Sequence, residues 1–476
     1  MEQHVSSLSH ALPGKVFLSK DQEYTESLAS YFSAQESHLK PACIIRPQST
    51  ADVATIVSYL VQANKSHGIG SVKFAIRSGG HACIAESANL SDGVTIDLRS
   101  LNTIELNDDS QVCIGTGASW GEVIRKLEPL GLAVPGGRHS QVGVGGLTLG
   151  GGLSHFSSHI GLVCDNVLEY EVVLASGTIV KATENDSEYG DLFRALRGGS
   201  NNFGIITQFT FRTFRQGRMW GGTLMHSIET REKQLQAFYN YANNPSPDPN
   251  ASLIHSVGMS AERGSGVVNS VVYTKPESEP AVIKPFLDLK PTLMNTLREL
   301  SLTELTREQD AFNENGLCQI MISTTYYLDL PLLNQTYDLW RRSYDAVQTF
   351  AGIMWSISYQ LITPTVISRS PFLQQAIPTL STNNNRPLVV AQLCGTWKEL
   401  KDAAAVEAVG KELIHDINVA AEKDGKQTGY IYLNYSHAGQ NVFGEGKRKQ
   451  WLQEVSRKYD PEGIFQRCVT GGIKLF

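Results

Sequence analysis

The sequence predicts an α+β chain of two domains, and three observations carry that reading. Its 476 residues exceed what one ordinary hydrophobic core holds. Residues 40–215 alternate short β-branched runs, helix-like segments and glycine turns, the texture of an α/β unit. Between 216 and 428, longer polar helices alternate with strand-like runs that switch between apolar and small polar residues, as an antiparallel sheet with two unlike faces would.

Along the chain, residues 51–64 and 121–130 carry helix-like patterning in the first part. Val72-Lys73-Phe74-Ala75-Ile76 is β-branched and aromatic, so it reads as a strand. It runs into Arg77-Ser78-Gly79-Gly80-His81, where two glycines put backbone amides within reach of an anion and deliver a histidine beside it. That suggests a dinucleotide held by its phosphates and tethered through His81. A tight turn with a solvated imidazole is the other reading of the same residues.

From Pro135 to Gly152 nearly half the residues are glycine, which suits something planar or anionic lying against the main chain. The spaced apolar residues Val142, Val144, Leu147 and Leu149 argue against a flexible linker, which would pair glycine with serine and charge. No Gly-Lys-Ser/Thr follows, which excludes a Walker loop, and the strand, Gly-x-Gly-x-x-Gly and helix of a Rossmann fingerprint do not fit. His155 and His159 stand at i, i+4, yet no carboxylate or third ligand accompanies them, so a metal site is rejected. In the second part, residues 267–273 and 320–327 read as strands and 403–423 as a helix. Trp355-Ser356-Ile357-Ser358-Tyr359-Gln360 alternates as a strand with Trp355, Ile357 and Tyr359 on one face and Ser356, Ser358 and Gln360 on the other.

The order of motifs resembles a known family. Arg77 to His81, Val142 to Gly152, Cys164-Asp165-Asn166-Val167 with Ala175-Ser176-Gly177, and Arg197-Gly198-Gly199-Ser200-Asn201-Asn202-Phe203-Gly204-Ile205-Ile206-Thr207 are similar to the flavin-binding domain of the vanillyl-alcohol-oxidase superfamily. Within it, Tyr432-Leu433-Asn434-Tyr435, Lys458-Tyr459-Asp460-Pro461 and Gly463-Ile464-Phe465 match the closing segment of the berberine-bridge-enzyme-like FAD-linked oxidases. The resemblance implies a two-part α/β FAD-binding domain, residues 1–215 and 429–476, closing over an inserted antiparallel-sheet substrate domain, residues 216–428, flanked by helices.

It also implies site residues. Arg77, Ser78, Gly79, Gly80, His81, Ala82, His139, Val142, Gly143, Gly145, Gly146, Gly150, Gly152, Asp165, Asn166, Gly204, Ile206 and Asn434 would bind FAD. His81 matches the histidine that attaches covalently to the flavin's 8α methyl group. Some relatives add a cysteinyl tether where this chain has His139, which cannot form a thioether, so one tether is expected. Val142 matches the position that decides whether oxygen reaches the reduced flavin, and a valine there implies an oxidase. Tyr435 fits the place of the catalytic base, and a satisfied core tyrosine is its alternative. Gln360 and Tyr326 are candidate substrate contacts. Where similar oxidases often carry Phe-Gln-Pro, this chain has Tyr359-Gln360-Leu361.

Composition fits a soluble enzyme, with 41% hydrophobic and 18% charged residues and a net charge of −6. No basic block appears, which argues against nucleic acid or an anionic membrane as partner. No apolar run could span a bilayer and no signal peptide is visible, so a cytoplasmic protein without an obligate protein partner is expected. The seven scattered cysteines suit reduced thiols. The expected activity is hydride transfer from a small, largely apolar natural product to FAD, with molecular oxygen taking the electrons. A redox-neutral cyclase with structural FAD, or a binding protein that keeps flavin without turnover, are the other classes.

Overall fold

A computed structural model describes residues 1–108, 110–377, 380 and 386–476. Four short strands, β1 (Val16–Phe17), β2 (Cys43–Ile45), β3 (Phe74–Arg77) and β4 (Val94–Asp97), form a sheet in the order β1-β2-β4-β3. β2 and β3 both pair with β4 in parallel. The helix Thr50–His67 connects β2 to β3, opened by a capping box in which Ser49 and Asp52 bond each other's backbone. Its Val53, Ile56, Val57 and Leu60, at helical spacing, are fully buried against the strands.

β5 (Ile104–Asp108), β6 (Gln111–Gly115), β8 (Val167–Val173), β9 (Ile179–Thr183) and β10 (Ile205–Arg212) form an antiparallel sheet in the order β5-β6-β10-β8-β9, with the two-residue β7 (Leu132–Ala133) paired to β11 (Phe214–Arg215) beside it. The helix Trp120–Leu127 starts at a second capping box, Ser119 with Glu122, and buries Trp120, Val123 and Leu127 in the core of this sheet. The glycine-rich stretch is not all loop, since Val144–Leu149 winds into a short helix.

The remaining strands build one eight-stranded antiparallel sheet: β12 (Met219–Ser227), β13 (Ala251–Ser260), β14 (Gly264–Tyr273), β15 (Thr292–Asn295), β16 (Arg298–Leu300), β17 (Cys318–Tyr327), β18 (Met354–Ile362) and β19 (Leu388–Trp397). Its order is β15-β12-β14-β13-β18-β19-β17, with β16 paired to β12. The helices Arg231–Ala242, Leu330–Val347 and Ala403–Lys423 bury their apolar stripes in the largest core cluster together with this sheet. Trp355, Ile357 and Tyr359 are fully buried in that cluster, as the alternation in the sequence requires. No helix among the described residues is long and apolar enough to cross a membrane.

The last residues of the chain go back to the first two sheets. Phe443, Leu452, Val455, Tyr459 and Leu475 pack into the core of the five-stranded sheet, and Ile464, Phe465, Cys468 and Val469 into that of the four-stranded one. Phe74 N–H donates to Cys468 O at 2.9 Å, which adds the C-terminal backbone to the β3 edge. The buried Asp460 carboxylate accepts from Ile464 N–H at 2.9 Å and Phe465 N–H at 2.7 Å and so fixes the turn that makes this return. Replacing Asp460 by Ala should cost about 1–2 kcal/mol, since two amides lose their acceptor. A lower urea midpoint at unchanged slope is the expected signature, and an unchanged midpoint would show that water substitutes for the carboxylate.

Candidate active site

The loop after β3 and the glycine-rich stretch meet backbone to backbone. A Cβ on Gly79 would stand 2.5 Å from Gly143 N and 2.6 Å from its Cα, so neither loop tolerates a side chain at the crossing. Ser78 locks the junction: its hydroxyl donates to Thr116 O at 2.7 Å and accepts from Gly145 N–H at 3.2 Å. From this crossing a cavity of about 570 Å³ runs to the eight-stranded sheet. Ser78, Gly79, Gly80, His81, Ala82, His139, Val142, Gly143, Gly145, Gly146, Gly204, Ile206, Asn434, Tyr435 and Gln360 all border it.

His81 stacks face to face on Phe32, with ring centroids 3.9 Å apart and planes 11° from parallel. Desolvation, and then the neighbouring His139, lower its pKa to about 4. The imidazole is therefore uncharged at neutral pH. His139 lies between Asp310, 3.7 Å from its Nδ1, and the Asn313 amide at 3.3 Å. Two thiols also border the cavity, Cys83 and Cys394, and burial raises both pKa values, that of Cys394 to about 12.

Tyr435 sits where the C-terminal return meets the sheet. Its hydroxyl accepts from the Arg138 guanidinium and from Gln360 Nε2 at 3.1 Å. Gln360 Nε2 also donates to Gln392 Oε1 at 3.2 Å. The ring stands edge-on to Tyr432, 4.8 Å away at 87°. Next to it, Asn434 Nδ2 donates to Leu147 O and to the Tyr432 hydroxyl, both at 3.0 Å, which pins the return to the glycine-rich segment. The opposite wall is the polar face of the sheet: Ser256, Gly258, Ser270, Ser356, Ser358, Gln360, Gln392 and Thr396 border the cavity with Ile254, Val268, Met321 and Met354.

Six of the expected site residues lie elsewhere. Tyr326 is on the wrong face of β17, buried with Ile320 and Ile322 against the helices, and its hydroxyl is 3.2 Å from Thr336 Oγ1. Arg77 turns away from the cavity and is fully buried, with Ser27 and Ser30 accepting its hydrogen bonds, Asp97 3.9 Å off and Tyr31 stacked 3.7 Å under the guanidinium. It holds the helix Gln22–Ala29 to the end of β3. Asp165 clasps protein to protein, accepting from Ser370 Oγ at 2.5 Å and from the amides of Phe372 and Leu162, both at 3.0 Å. Asn166 donates to Ile160 O and Leu162 O. A Cβ on Gly150 would collide with Asn434, and one on Gly152 would lie 2.5 Å from Val163. Sequence reasoning missed Arg138, Gln392, Phe32 and Asp310. Arg138 alone carried a signal, being the one charged residue inside the glycine cluster.

The cavity fits a dinucleotide cofactor at its glycines. Gly146 borders it, and a Cβ built there meets nothing within 4 Å, so a side chain would project into the space a ligand would take. Comparison with known proteins agrees. The family described as FAD binding domain matches residues 41–183. The FAD-dependent monooxygenase tpcD of Cochliobolus heterostrophus is 33% identical over 469 residues, covering 94% of this chain and 88% of that protein. The chain belongs to the family of FAD-dependent oxidoreductases that includes tpcD, and its fold is that of the berberine-bridge-enzyme-like proteins. Oligopeptidase PhomG' of Diaporthe leptostromiformis is 34% identical across 95% of the chain, which spans only 36% of that protein's length. Among solved structures, the xylooligosaccharide oxidase of Myceliophthora thermophila superposes with a TM-score of 0.77 at 20% identity, covering 99% of this chain and 100% of the other. The chain is thus an FAD-dependent oxidoreductase with the family's two-domain fold.

Buried histidines near and away from the cavity set its acid stability. Burial lowers His155 to about 3 and His255 to about 4, whereas imidazoles in the unfolded chain titrate near about 6.5. Below that value unfolding takes up protons, so stability falls as the pH drops from about 6.5 toward 4. Glu36 acts oppositely: burial raises its carboxyl to about 8, and its share of stability is lost as the pH rises from 4.5 through 8. Asp165 and Asp460 are raised in the same sense as Glu36, but among the described residues seven histidines are lowered against these three carboxyls, so the melting temperature should decline between about pH 6.5 and 5, and His255→Phe should flatten the decline. An identical slope in the variant would exclude His255 as a source.

Proposed function

We propose that this chain is an oxidase of a small, neutral, largely apolar secondary metabolite, with FAD held through a single covalent bond to His81. Tyr435 carries the reading: its hydroxyl faces the cavity between the two glycine loops and the polar face of the sheet, under two hydrogen-bond donors. When bound, FAD supplies a hydride acceptor that passes its two electrons to molecular oxygen, giving hydrogen peroxide. Tyr435, as the phenolate, takes the proton a substrate hydroxyl or acidic C–H releases and becomes the neutral phenol, and the Arg138 guanidinium that donates to this oxygen stabilises the phenolate before the transfer. Gln360 holds that oxygen in place from the sheet side.

Arg138 is the only Arg, Lys, Asp or Glu bordering the cavity among the described residues, which favours a substrate without charge. Val142, a small β-branched residue on the cavity wall, leaves oxygen an approach. Residues 1–215 and 429–476 then form the flavin half and 216–428 the substrate half. Curated relatives bear the name monooxygenase, which favours a second outcome at the same site, transfer of one oxygen atom to the product. Labelled oxygen distinguishes the two, appearing in peroxide for an oxidase and in the product for a monooxygenase. A redox-neutral cyclase would consume none.

The tether is checked by intact mass. The protein should exceed its chain mass by one FAD, and His81→Ala should abolish the increment while His139→Ala keeps it. Release of all flavin on denaturation would leave His81 without this role, and a cysteinyl adduct would overturn the single tether. The chemistry divides between half-reactions. Tyr435→Phe keeps the ring packing and loses the proton acceptor, so flavin reduction by substrate should slow by about 10²-fold or more. Val142→Leu should leave reduction alone and slow reoxidation of photoreduced enzyme in aerated buffer. Unchanged reduction in the Phe variant would pass the base role to another group.

A further inference from the structure

Gly258 lies inside β13, where a glycine weakens a strand and commonly marks the close approach of a ligand or another backbone. Among the described residues, a Cβ built on Gly258 would meet only Ser356 Cβ at 3.6 Å and Met354 Sδ at 3.9 Å, both ordinary van der Waals contacts, and its φ is outside the left-handed region. Gly221 in β12 shows the contrast, since a Cβ there would stand 2.4 Å from Val271 O. The fold therefore requires Gly221 but not Gly258. The space over Gly258 belongs to the cavity that Tyr435 also borders.

Its neighbours extend the same low surface. Gly258 pairs with Ser356 and Ser256 with Ser358, so the four residues mark out a rectangle of about 5 Å by about 7 Å on the cavity face of β13 and β18. The serine hydroxyls are spent within the sheet: Ser256 and Ser358 bond each other at 2.7 Å, and Ser356 donates to Cys394 O at 3.3 Å. What remains is a flat floor of small side chains. Thioethers edge it, because Met354 stands two residues before Ser356 on β18 and Met321 ends the rung that runs from Gly258 through Ser356 and Cys394 to β17. Such sulfurs make favourable contacts with the edges of aromatic rings.

A hydrogen-bond donor is unused at the Tyr435 end of this floor. Gln392 stands opposite Ser358, is 4% exposed, and accepts from Gln360 Nε2 through Oε1. Its own Nε2 donates to no atom of the described residues and is open to the cavity. Buried amides are nearly always satisfied, so this nitrogen points to an oxygen acceptor on a ligand.

We propose, on the reading of this cavity as the substrate site, that Gly258 is its specificity-determining residue and that the substrate is a flat, fused-ring aromatic compound. Its polar group lies at Gln392 and Tyr435, and its rings lie on the floor at Gly258. Four residues of strand, about 13 Å, separate Gln360 from Ser356. A single ring held at Gln360 stays short of Gly258, and a three-ring body reaches it.

2-Anthracenemethanol serves as the probe, with 1-adamantanemethanol as an equally apolar alcohol of globular shape. The flavin-loaded protein, photoreduced and free of oxygen, cannot turn either alcohol over, and titration calorimetry on it should show the flat one binding at least about tenfold more tightly. Gly258→Val, whose β-branched side chain is at home in a strand, should bring the two affinities within about twofold, with Gly258→Ala in between. Ser356→Val raises the same floor from β18 and should act alike, and melting curves with flavin content show which variants fold. Gln392→Leu should weaken 2-anthracenemethanol about 3- to 10-fold, the loss of one hydrogen bond. Equal binding of the two alcohols by the parent, a preference that survives in the folded floor variants, or undiminished binding in Gln392→Leu overturns the proposal. Because binding is read without turnover, the oxidase reading is judged separately: a flat alcohol that binds as expected and leaves oxidised flavin unreduced counts against Tyr435 as its base and supports the floor at Gly258.

Discussion

The contact of Gly79 with Gly143 is the constraint on which the rest of the cavity depends. β3 belongs to the four-stranded sheet, while the 135–152 segment is tied to the five-stranded sheet through Trp120 N–H to Val142 O and Val144 N–H to Ala118 O, both 2.9 Å. Only two residues without side chains allow those main chains to touch, and the Ser78 bonds to Thr116 and Gly145 then fix the relative position of the two sheets. His81 follows two residues after one glycine and Val142 precedes the other. Their common wall is thus a consequence of the crossing rather than of any attraction between them. A side chain at either glycine would part the loops and separate the groups proposed to hold flavin and admit oxygen.

What could be read from the sequence was what is local. The strand at 355–360 announces its two faces because period-two alternation of large apolar and small polar residues has one structural solution, and Ser356, Ser358 and Gln360 do border the cavity. Tyr326 was misplaced for the complementary reason: Thr324-Thr325-Tyr326-Tyr327 has no alternation, so only the pairing of β17 with β19 decides which face each residue takes. Arg77 shows a second limit. An arginine beside Gly-Gly invites an anion, but Ser27, Ser30 and Asp97, which occupy it, come from distant segments. The Arg138 to Tyr435 contact joins residues 297 apart, and no pattern at either end reports the other. The return of residues 429–476 became visible through family resemblance alone, since a helix such as Lys447–Tyr459 carries no mark of the sheet it will pack on.

The charges of the site are arranged so that little of the protein competes with the flavin or the substrate. Asp97 lies under Arg77 and Arg99 and Asp165 in its clasp, where charged or backbone donors meet them, while Glu36 is buried behind Ser87 and Ala88 of the cavity wall and accepts from their amides. His81 on the cavity wall is held uncharged by burial. Among the described residues Arg138 is the one Arg, Lys, Asp or Glu on the wall, and a low-dielectric wall strengthens its effect on the Tyr435 oxygen it bonds.

The polar face of the sheet is less available to a ligand than its composition suggests. Ser256 and Ser358 sit opposite each other across β13 and β18 and hydrogen-bond at 2.7 Å, and Ser356 Oγ donates to Cys394 O at 3.3 Å. Those hydroxyls are partly spent within the sheet, so they present small volume more than free bonding capacity. Gln360 is different, because its amide nitrogen is shared between Tyr435 at 3.1 Å and Gln392 at 3.2 Å. A substrate oxygen arriving beside Tyr435 can take over one of those two bonds without leaving a buried donor unpaired, since the amide carries two protons. The sheet therefore discriminates chiefly by shape along β13 and β18 and by hydrogen bonding only at the Gln360 end, next to the proton acceptor. A substrate is positioned for oxidation by where its one polar group lies relative to its apolar body.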